Sequence, residues 1–298
     1  MLISILICTK DRPQQLRETL QAVASLEAPP GVDYELIVVD NGSKSEGTAQ
    51  VCREMEPVFQ SRLHFAALPV AGKSRAANAG FKISRGEIIA FLDDDILPRK
   101  DWLLVICREF SSHPELGGIS GRVELRDAQD LQVGVRRKEE RATYASAMDS
   151  CNLFIGCNFA VRRAVIEKHG LYDPLFGPGS WIGSAEDLDF CYRAWKSGET
   201  MVYEPSMFVL HAHGRRSVED GASIRRAYVI GKGAFFAKYV LSGDTKIAKE
   251  VYWNLRADAR DLFRAGSGES LSRLVWLMIG FWRYPLARLS TNTSERGK

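Results

Sequence analysis

Three consecutive carboxylates, Asp93, Asp94 and Asp95, directly follow the apolar run Ile88-Ile89-Ala90-Phe91-Leu92. Adjacent carboxylates repel one another, so gathering them costs free energy unless a cation neutralises them. Hard divalent cations such as Mg²⁺ or Mn²⁺ take carboxylate and phosphate oxygens together; an acidic turn leading into the next helix is the other reading. Asp40 closes a second apolar run in Val38-Val39-Asp40-Asn41-Gly42-Ser43. A carboxylate there can accept hydrogen bonds from a nucleotide base or ribose, or can simply make a turn. The stretch from Gly72 to Gly80 sets small residues beside Lys73, Arg75 and Asn78, which suits close approach of a phosphate or sugar but lacks the order of a P-loop. Glu186 and Asp187 follow a glycine-rich stretch and open a helical pattern. There they complement the helix dipole or present a general base at the edge of a cleft. His211 and His213 end a late strand-like run, on the same side by alternation, as a pair able to ligate a metal.

These groups need elements to carry them. Leu2–Ile7, Tyr34–Val39 and Glu87–Leu92 are continuous apolar runs of strand length, and His64–Leu68 is a shorter fourth. Helical spacing recurs at Leu16, Leu20 and Val23, over Lys73–Ile83 and over Trp102–Phe110. Buried strands alternating with helices predict an α/β chain with a mainly parallel sheet wrapped on both faces. In such sheets ligands sit at the carboxyl ends of strands, where Thr9 to Arg12, Asp40 to Ser43 and Asp93 to Asp95 fall. Asp127 to Ser150 is polar and doubly charged, a solvated helix or loop or a lid over a cleft. Asn152–Val161, a helix over Arg162–His169, a glycine-marked loop, a helix over Glu186–Lys196 and short strands at Met201–Tyr203 and Met207–His211 complete this part.

The 298 residues are 45% hydrophobic and 26% charged, which excludes disorder as the dominant state and permits a core without staples. A net charge of +3 argues against nucleic acid as the partner. That charge is uneven, with 16 Lys and Arg against 8 Asp and Glu from residue 214 to 298. The expected division is therefore a domain over 1–213 and a basic, aromatic-rich helical extension over 214–298. Six irregularly spaced cysteines form no CxxC pair, the N-terminal apolar run meets Lys10 too early for a signal peptide, and no stretch is long enough to span a bilayer. The expectation is a reduced, cytoplasmic protein.

Taken in order, the segments Ile3 to Pro13, Val39 to Ser43, Arg75 to Gly80, Phe91 to Asp95 and Glu186-Asp187 closely resemble the family 2 glycosyltransferases, inverting enzymes of the GT-A fold. The likeness runs over roughly the first 215 residues and implies a Rossmann-like α/β sandwich with a C-terminal helical extension. On that resemblance Thr9 and Asp40 contact the base and ribose of a nucleotide-sugar. Arg75 and Asn78 lie along its ribose and phosphates, Asp93 faces the nucleoside or sugar, and Arg12 and Asp94 belong to the same donor set. Asp95 holds a Mn²⁺ or Mg²⁺ ion on the diphosphate, His211 completes the metal shell with His213 as its rival, and Asp187 is the catalytic base. Gly156 to Phe159 resembles the segment lining the donor sugar and acceptor, so Asn158, Trp181 and Glu186 are assigned to that region. Cys8 and Asp11 depart from the Pro and Asn of many members, both near the base.

The implied reaction moves a sugar from a nucleotide donor, a UDP-sugar first among them, to a hydroxyl in cell-surface polysaccharide or glycolipid synthesis. A sugar nucleotidyltransferase and a non-catalytic sugar-nucleotide-binding or scaffold protein remain alternatives; the former usually carries a glycine-rich signature that this chain lacks after its first strand. In the tail, Ser223–Tyr239 and Leu271–Leu289 interleave aromatic and basic residues. Such segments suit helices lying on the inner face of a membrane beside a glycan or lipid-linked acceptor, packing on the domain, or joining a dimer.

Overall fold

A computed structural model describes residues 1–265 and 268–295 of the chain. Four strands, β1 (Leu2–Thr9), β2 (Asp33–Asn41), β3 (Leu63–Leu68) and β4 (Ile88–Asp93), pair in parallel in the spatial order β3-β2-β1-β4. They alternate with α1 (Pro13–Ala24), α2 (Gly47–Phe59) and α3 (Lys73–Ile83). The chain builds outward from β1 to β3 and then returns to the other side of β1 for β4. That reversal opens a crevice at the carboxyl ends of β1 and β4, where Cys8 lies opposite Asp93.

Beyond β4 the sheet is mixed rather than mainly parallel. After β5 (Ile96–Pro98) and α4 (Trp102–Ser112), β6 (Leu116–Leu125) lies between β8 (Asn158–Arg162) and β9 (Thr200–His211). β8 is antiparallel to β4 and β6, and β9 is parallel to β6 but antiparallel to β5 and to the short β7 (Ala142–Thr143). The two short strands expected around Pro205 are one strand, β9, because the register against β6 shifts between Gly121 and Arg122 and absorbs the intervening residues. A Cβ at Gly121 would lie 2.0 Å from the Met207 carbonyl oxygen, so only glycine permits that irregularity. The stretch from Asp127 to Ser150 is a loop rather than a helix, carrying β7 and the start of a one-turn helix, α5 (Asp149–Asn152).

Both faces of the sheet are covered. Ile3, Ile5, Leu36, Val38 and Ala90 pack on α1, α2 and α4, while Leu6, Ile89, Phe91 and Phe159 pack on α3, α6 (Arg163–His169) and α7 (Glu186–Lys196). The extension folds as α8 (Val218–Val240), α9 (Thr245–Ala265) and α10 (Gly268–Glu295), of which α9 carried no sequence expectation. Tyr192 of α7 joins Phe235, Phe236 and Tyr239 of α8 and Leu277 and Tyr284 of α10 in a third core. Of the three roles open to the tail, its inner faces take the packing one. The crossing of α8 and α10 is close enough that a Cβ at Gly280 would lie 1.9 Å from the Ile230 carbonyl oxygen. Gly280→Ala is therefore expected to cost about 1–3 kcal/mol through forced separation of the two helices, read as a fall in the thermal midpoint.

Candidate active site

Each of the three strand-end aspartates is met by a cation. The Lys73 ammonium, on the first turn of α3, donates to Asp93 Oδ1 at 2.7 Å. The Arg12 guanidinium donates to Asp94 Oδ1 at 2.7 Å and to Asp95 Oδ2 at 2.8 Å. His211, at the end of β9, places Nε2 at 3.3 Å from Asp95 Oδ1. The pairings matter because Asp94 and Asp95 are almost fully buried. Burial and the neighbouring Asp95 push the Asp94 carboxyl up to about 6 against the pull of Arg12. Burial also opposes charge on Asp95, but the hydrogen bond and charge of His211, with those of Arg12, hold it below the usual carboxylate range.

His211 has the geometry of a ligand. Its Nδ1 lies 3.1 Å from the Gly134 carbonyl oxygen, which can only accept, so Nδ1 carries a proton and Nε2 faces Asp95. Burial works against the charged ring, and the hydrogen bond and charge of Asp95 raise its pKa above the ordinary histidine value. A backbone carbonyl on one nitrogen and a carboxylate oxygen beside the other is the setting in which imidazole ligates a divalent ion. One carboxylate and one imidazole are donors that Mn²⁺ or Mg²⁺ accepts. Among the described residues no group of three or more His, Cys, Asp and Glu side chains is gathered for a metal. Gly134 takes φ +63°, and a Cβ there would lie 2.8 Å from the His211 ring.

The carboxylate expected to act as the base lies on a different element. Asp187 sits in the first turn of α7, where its Oδ2 accepts the Gly156 backbone N–H at 3.0 Å and its Oδ1 accepts the Leu188 N–H at 2.8 Å. A Cβ at Gly156 would lie 2.5 Å from that Oδ2, so the glycine makes room for the carboxylate. Ala185, just before, is held in the left-handed region at φ +73°, a local strain that aims the start of α7. Glu186 is buried beside Asp187. Burial and the Asp187 charge push its carboxyl up to about 7 against the pull of Lys73, whose Nζ lies 3.8 Å from Glu186 Oε1. Lys73 therefore spans the two clusters, since it also holds Asp93.

Several of the other expected site residues are already engaged within the protein. Thr9 is buried and its hydroxyl donates to Asp94 Oδ2 at 2.7 Å, so the pair anchors β1 to β4 rather than a base. Asn78 gives both ends of its amide to the Tyr172 backbone, at 2.8 and 3.0 Å. Asn158 is wholly buried: its oxygen accepts from Trp102 Nε1, and its nitrogen donates to the Arg122 and Met207 carbonyls. His213 is tied off as well, because Nδ1 accepts the Arg215 N–H and Nε2 donates to the Leu131 carbonyl. Burial and the nearby charges of His211 and Arg215 lower the pKa of that ring. Asp40 caps its own turn through the Ser43 N–H at 2.8 Å, Arg75 is exposed on the first turn of α3, and Trp181 is 52% exposed on the glycine-rich loop. Lys73 and Gly134 were not singled out for these roles; Lys73 had a visible signal, a cation at the start of a helix behind a glycine.

With this geometry in view, comparison with known proteins is decisive. The family model described as "Glycosyl transferase family 2" matches residues 4–170. The chain belongs to that family. It is 34% identical over 208 residues to the succinoglycan biosynthesis protein ExoM of Rhizobium meliloti, covering 70% of this chain and 65% of ExoM. It is 24% identical over 306 residues to glycosyltransferase AglE of Haloferax volcanii, covering 99% of this chain and 86% of AglE. Among solved structures, the mannosyltransferase PcManGT from Pyrobaculum calidifontis, in complex with GDP-Man and Mn²⁺, has a TM-score of 0.64 at 19% identity. That match covers 98% of this chain and 86% of PcManGT. The chain thus has the GT-A fold and is a glycosyltransferase of glycan biosynthesis.

The raised Glu186 carboxyl links folding to pH. The native state holds a proton that the unfolded chain releases above its ordinary value of 4.5, so stability falls as pH rises from there through about 7. Glu186→Gln keeps the neutral form at every pH. Its thermal midpoint relative to the unaltered protein is expected to climb between pH 5 and pH 8, by an amount equivalent to about 2 kcal/mol. A flat difference across that window counts against a neutral Glu186.

Proposed function

We propose that this chain is an inverting glycosyltransferase that moves a hexose from a nucleoside diphosphate, a UDP-sugar to be tried first, to an acceptor hydroxyl. The observation that carries the reading is Lys73, which touches Asp93 on one side and reaches Glu186, the neighbour of Asp187, on the other. The strand-end carboxylates and the base therefore line one cleft. Residues 1–213 form the catalytic part and 214–298 the buttress behind α7.

In this reading Asp95 and His211 would hold a Mn²⁺ or Mg²⁺ ion at the donor's diphosphate. The bound ion supplies positive charge that offsets the charge developing on the departing nucleoside diphosphate. Arg75, exposed beside the cleft, adds a cation for the phosphates, and Asp40 and Asp93 accept hydrogen bonds from ribose and sugar. Asp187, oriented by two backbone N–H groups, takes the acceptor hydroxyl's proton as that oxygen attacks the anomeric carbon opposite the leaving group. A single displacement inverts the stereocentre without a covalent sugar–enzyme intermediate. In this reading the acceptor is a surface polysaccharide or a lipid-linked precursor at the inner face of a membrane, with Trp181 on its side, and the succinoglycan biosynthesis named for ExoM supports the polysaccharide.

Asp187→Asn should leave donor affinity near normal while lowering turnover by about 10²-fold or more. Near-normal turnover in a donor-consumption assay would remove Asp187 from the role. Asp95→Ala should abolish the Mn²⁺-dependent part of UDP or GDP binding in titration calorimetry; a metal dependence that survives the substitution would move the ion elsewhere.

A further inference from the structure

α10 has two opposed apolar faces. One, with Leu277, Gly280 and Tyr284, is buried in the third core or against α8. The other carries Leu271, Val275, Met278, Trp282 and Leu286, all exposed, Trp282 at 60%. At 100° per residue these five fall within a sector of about 80°. Beside them runs a shallow trough of about 570 Å³ with almost wholly apolar walls. Burying one face explains α10 as a buttress; it does not explain a second.

The borders of the outer face carry positive charge. Arg283 lines the trough and donates to the Trp181 carbonyl oxygen at 3.1 Å, and the Arg226 guanidinium stacks on the Trp276 ring at 3.8 Å. Between Glu269 and Glu295 the helix sequence contains no acidic residue; Arg283 and Arg288 flank this face, while Arg273 points away from it and pairs with Asp258 of α9. In an isologous pairing with a second copy this face would meet its own like charges. Exposed aliphatic and tryptophan side chains edged by arginines instead match the boundary between lipid headgroups and acyl chains. The Arg283 contact also ties the face to the loop just before Glu186 and Asp187, whose Trp181 is half exposed.

We infer that the outer face of α10, continued by Trp181, lies on an anionic lipid bilayer and brings the rim of the cleft to the membrane surface. The helix lies in the interface and does not cross it; no helix among the described residues is long and apolar enough to span a membrane. The inference rests on the proposed reading of a membrane-borne acceptor and says which surface delivers it.

The test is co-sedimentation of the full chain with vesicles of phosphatidylcholine containing about 30 mol% phosphatidylglycerol, beside vesicles of phosphatidylcholine alone. The full chain should pellet with the anionic vesicles and at least about tenfold less with the neutral ones, since cations border the face. Trp282→Glu and Met278→Glu, on an exposed surface, should keep the thermal midpoint and lower pelleting at least about tenfold. An unaltered protein that stays in the supernatant, or variants that pellet as well as it does, would overturn the inference. So would light scattering that shows a dimer dissociated by Trp282→Glu with no vesicle binding. The shift of the thermal midpoint by UDP or GDP with Mn²⁺, measured on the same samples, reports the donor reading separately. Its loss in every protein would sink that reading while leaving vesicle binding to stand or fall alone.

Discussion

Three carboxylates in succession at the end of a buried strand cannot share a low-dielectric crevice without compensation, and that constraint organises the molecule. Asp93, Asp94 and Asp95 are answered by Lys73, Arg12 and His211, each from a different element: α3, the turn after β1, and the end of β9. The three cations are not equivalent. Lys73 stays charged well above the usual lysine value, because Asp93 and Glu186 outweigh the cost of its burial. Arg12 is permanently charged and fastens Asp94 and Asp95 to β1. His211 differs from both, because the Gly134 carbonyl holds the proton on Nδ1 and leaves Nε2 facing Asp95.

The opposite wall of the cleft depends on close backbone approach. Gly156 admits the Asp187 carboxylate, Ala185 accepts a left-handed conformation ahead of α7, and Ser184 donates its hydroxyl to the Ala227 carbonyl of α8 at 2.8 Å. The extension therefore reaches the base through one residue of loop. Tyr192 donates to Asp244 and Tyr239 donates to Asp189, each at 2.7 or 2.8 Å, so the far side of α7 is bonded to the extension as well as packed on it. The helix whose first turn carries Asp187 is held along its length by the C-terminal segment.

Much of this was legible from local pattern. The runs ending at Ile7, Val39 and Leu92 are strands within two residues of their expected bounds, and Glu186–Lys196 is the helix its spacing describes. β6 was missed because its Gly117-Gly118 pair and alternating small residues do not read as an apolar run. β9 was divided because Pro205 resembles a terminator, whereas a register shift opposite Gly121 accommodates it. The site was harder. Thr9, Asn78, Asn158 and His213 have the right chemistry for a ligand, but a hydroxyl, an amide or an imidazole gives no sign in sequence of whether protein or substrate will engage it.

Sequence by itself determined which residue types stand at strand ends and helix starts, because periodicity and turn chemistry act over a few neighbours. It also determined the family, through five short segments in one order. Tertiary structure alone decided which cation answers which carboxylate and which histidine faces one. Those outcomes turn on partners brought together from across the chain, as Arg12 is to Asp94 and His213 is to Leu131, and on burial that makes each missing partner costly.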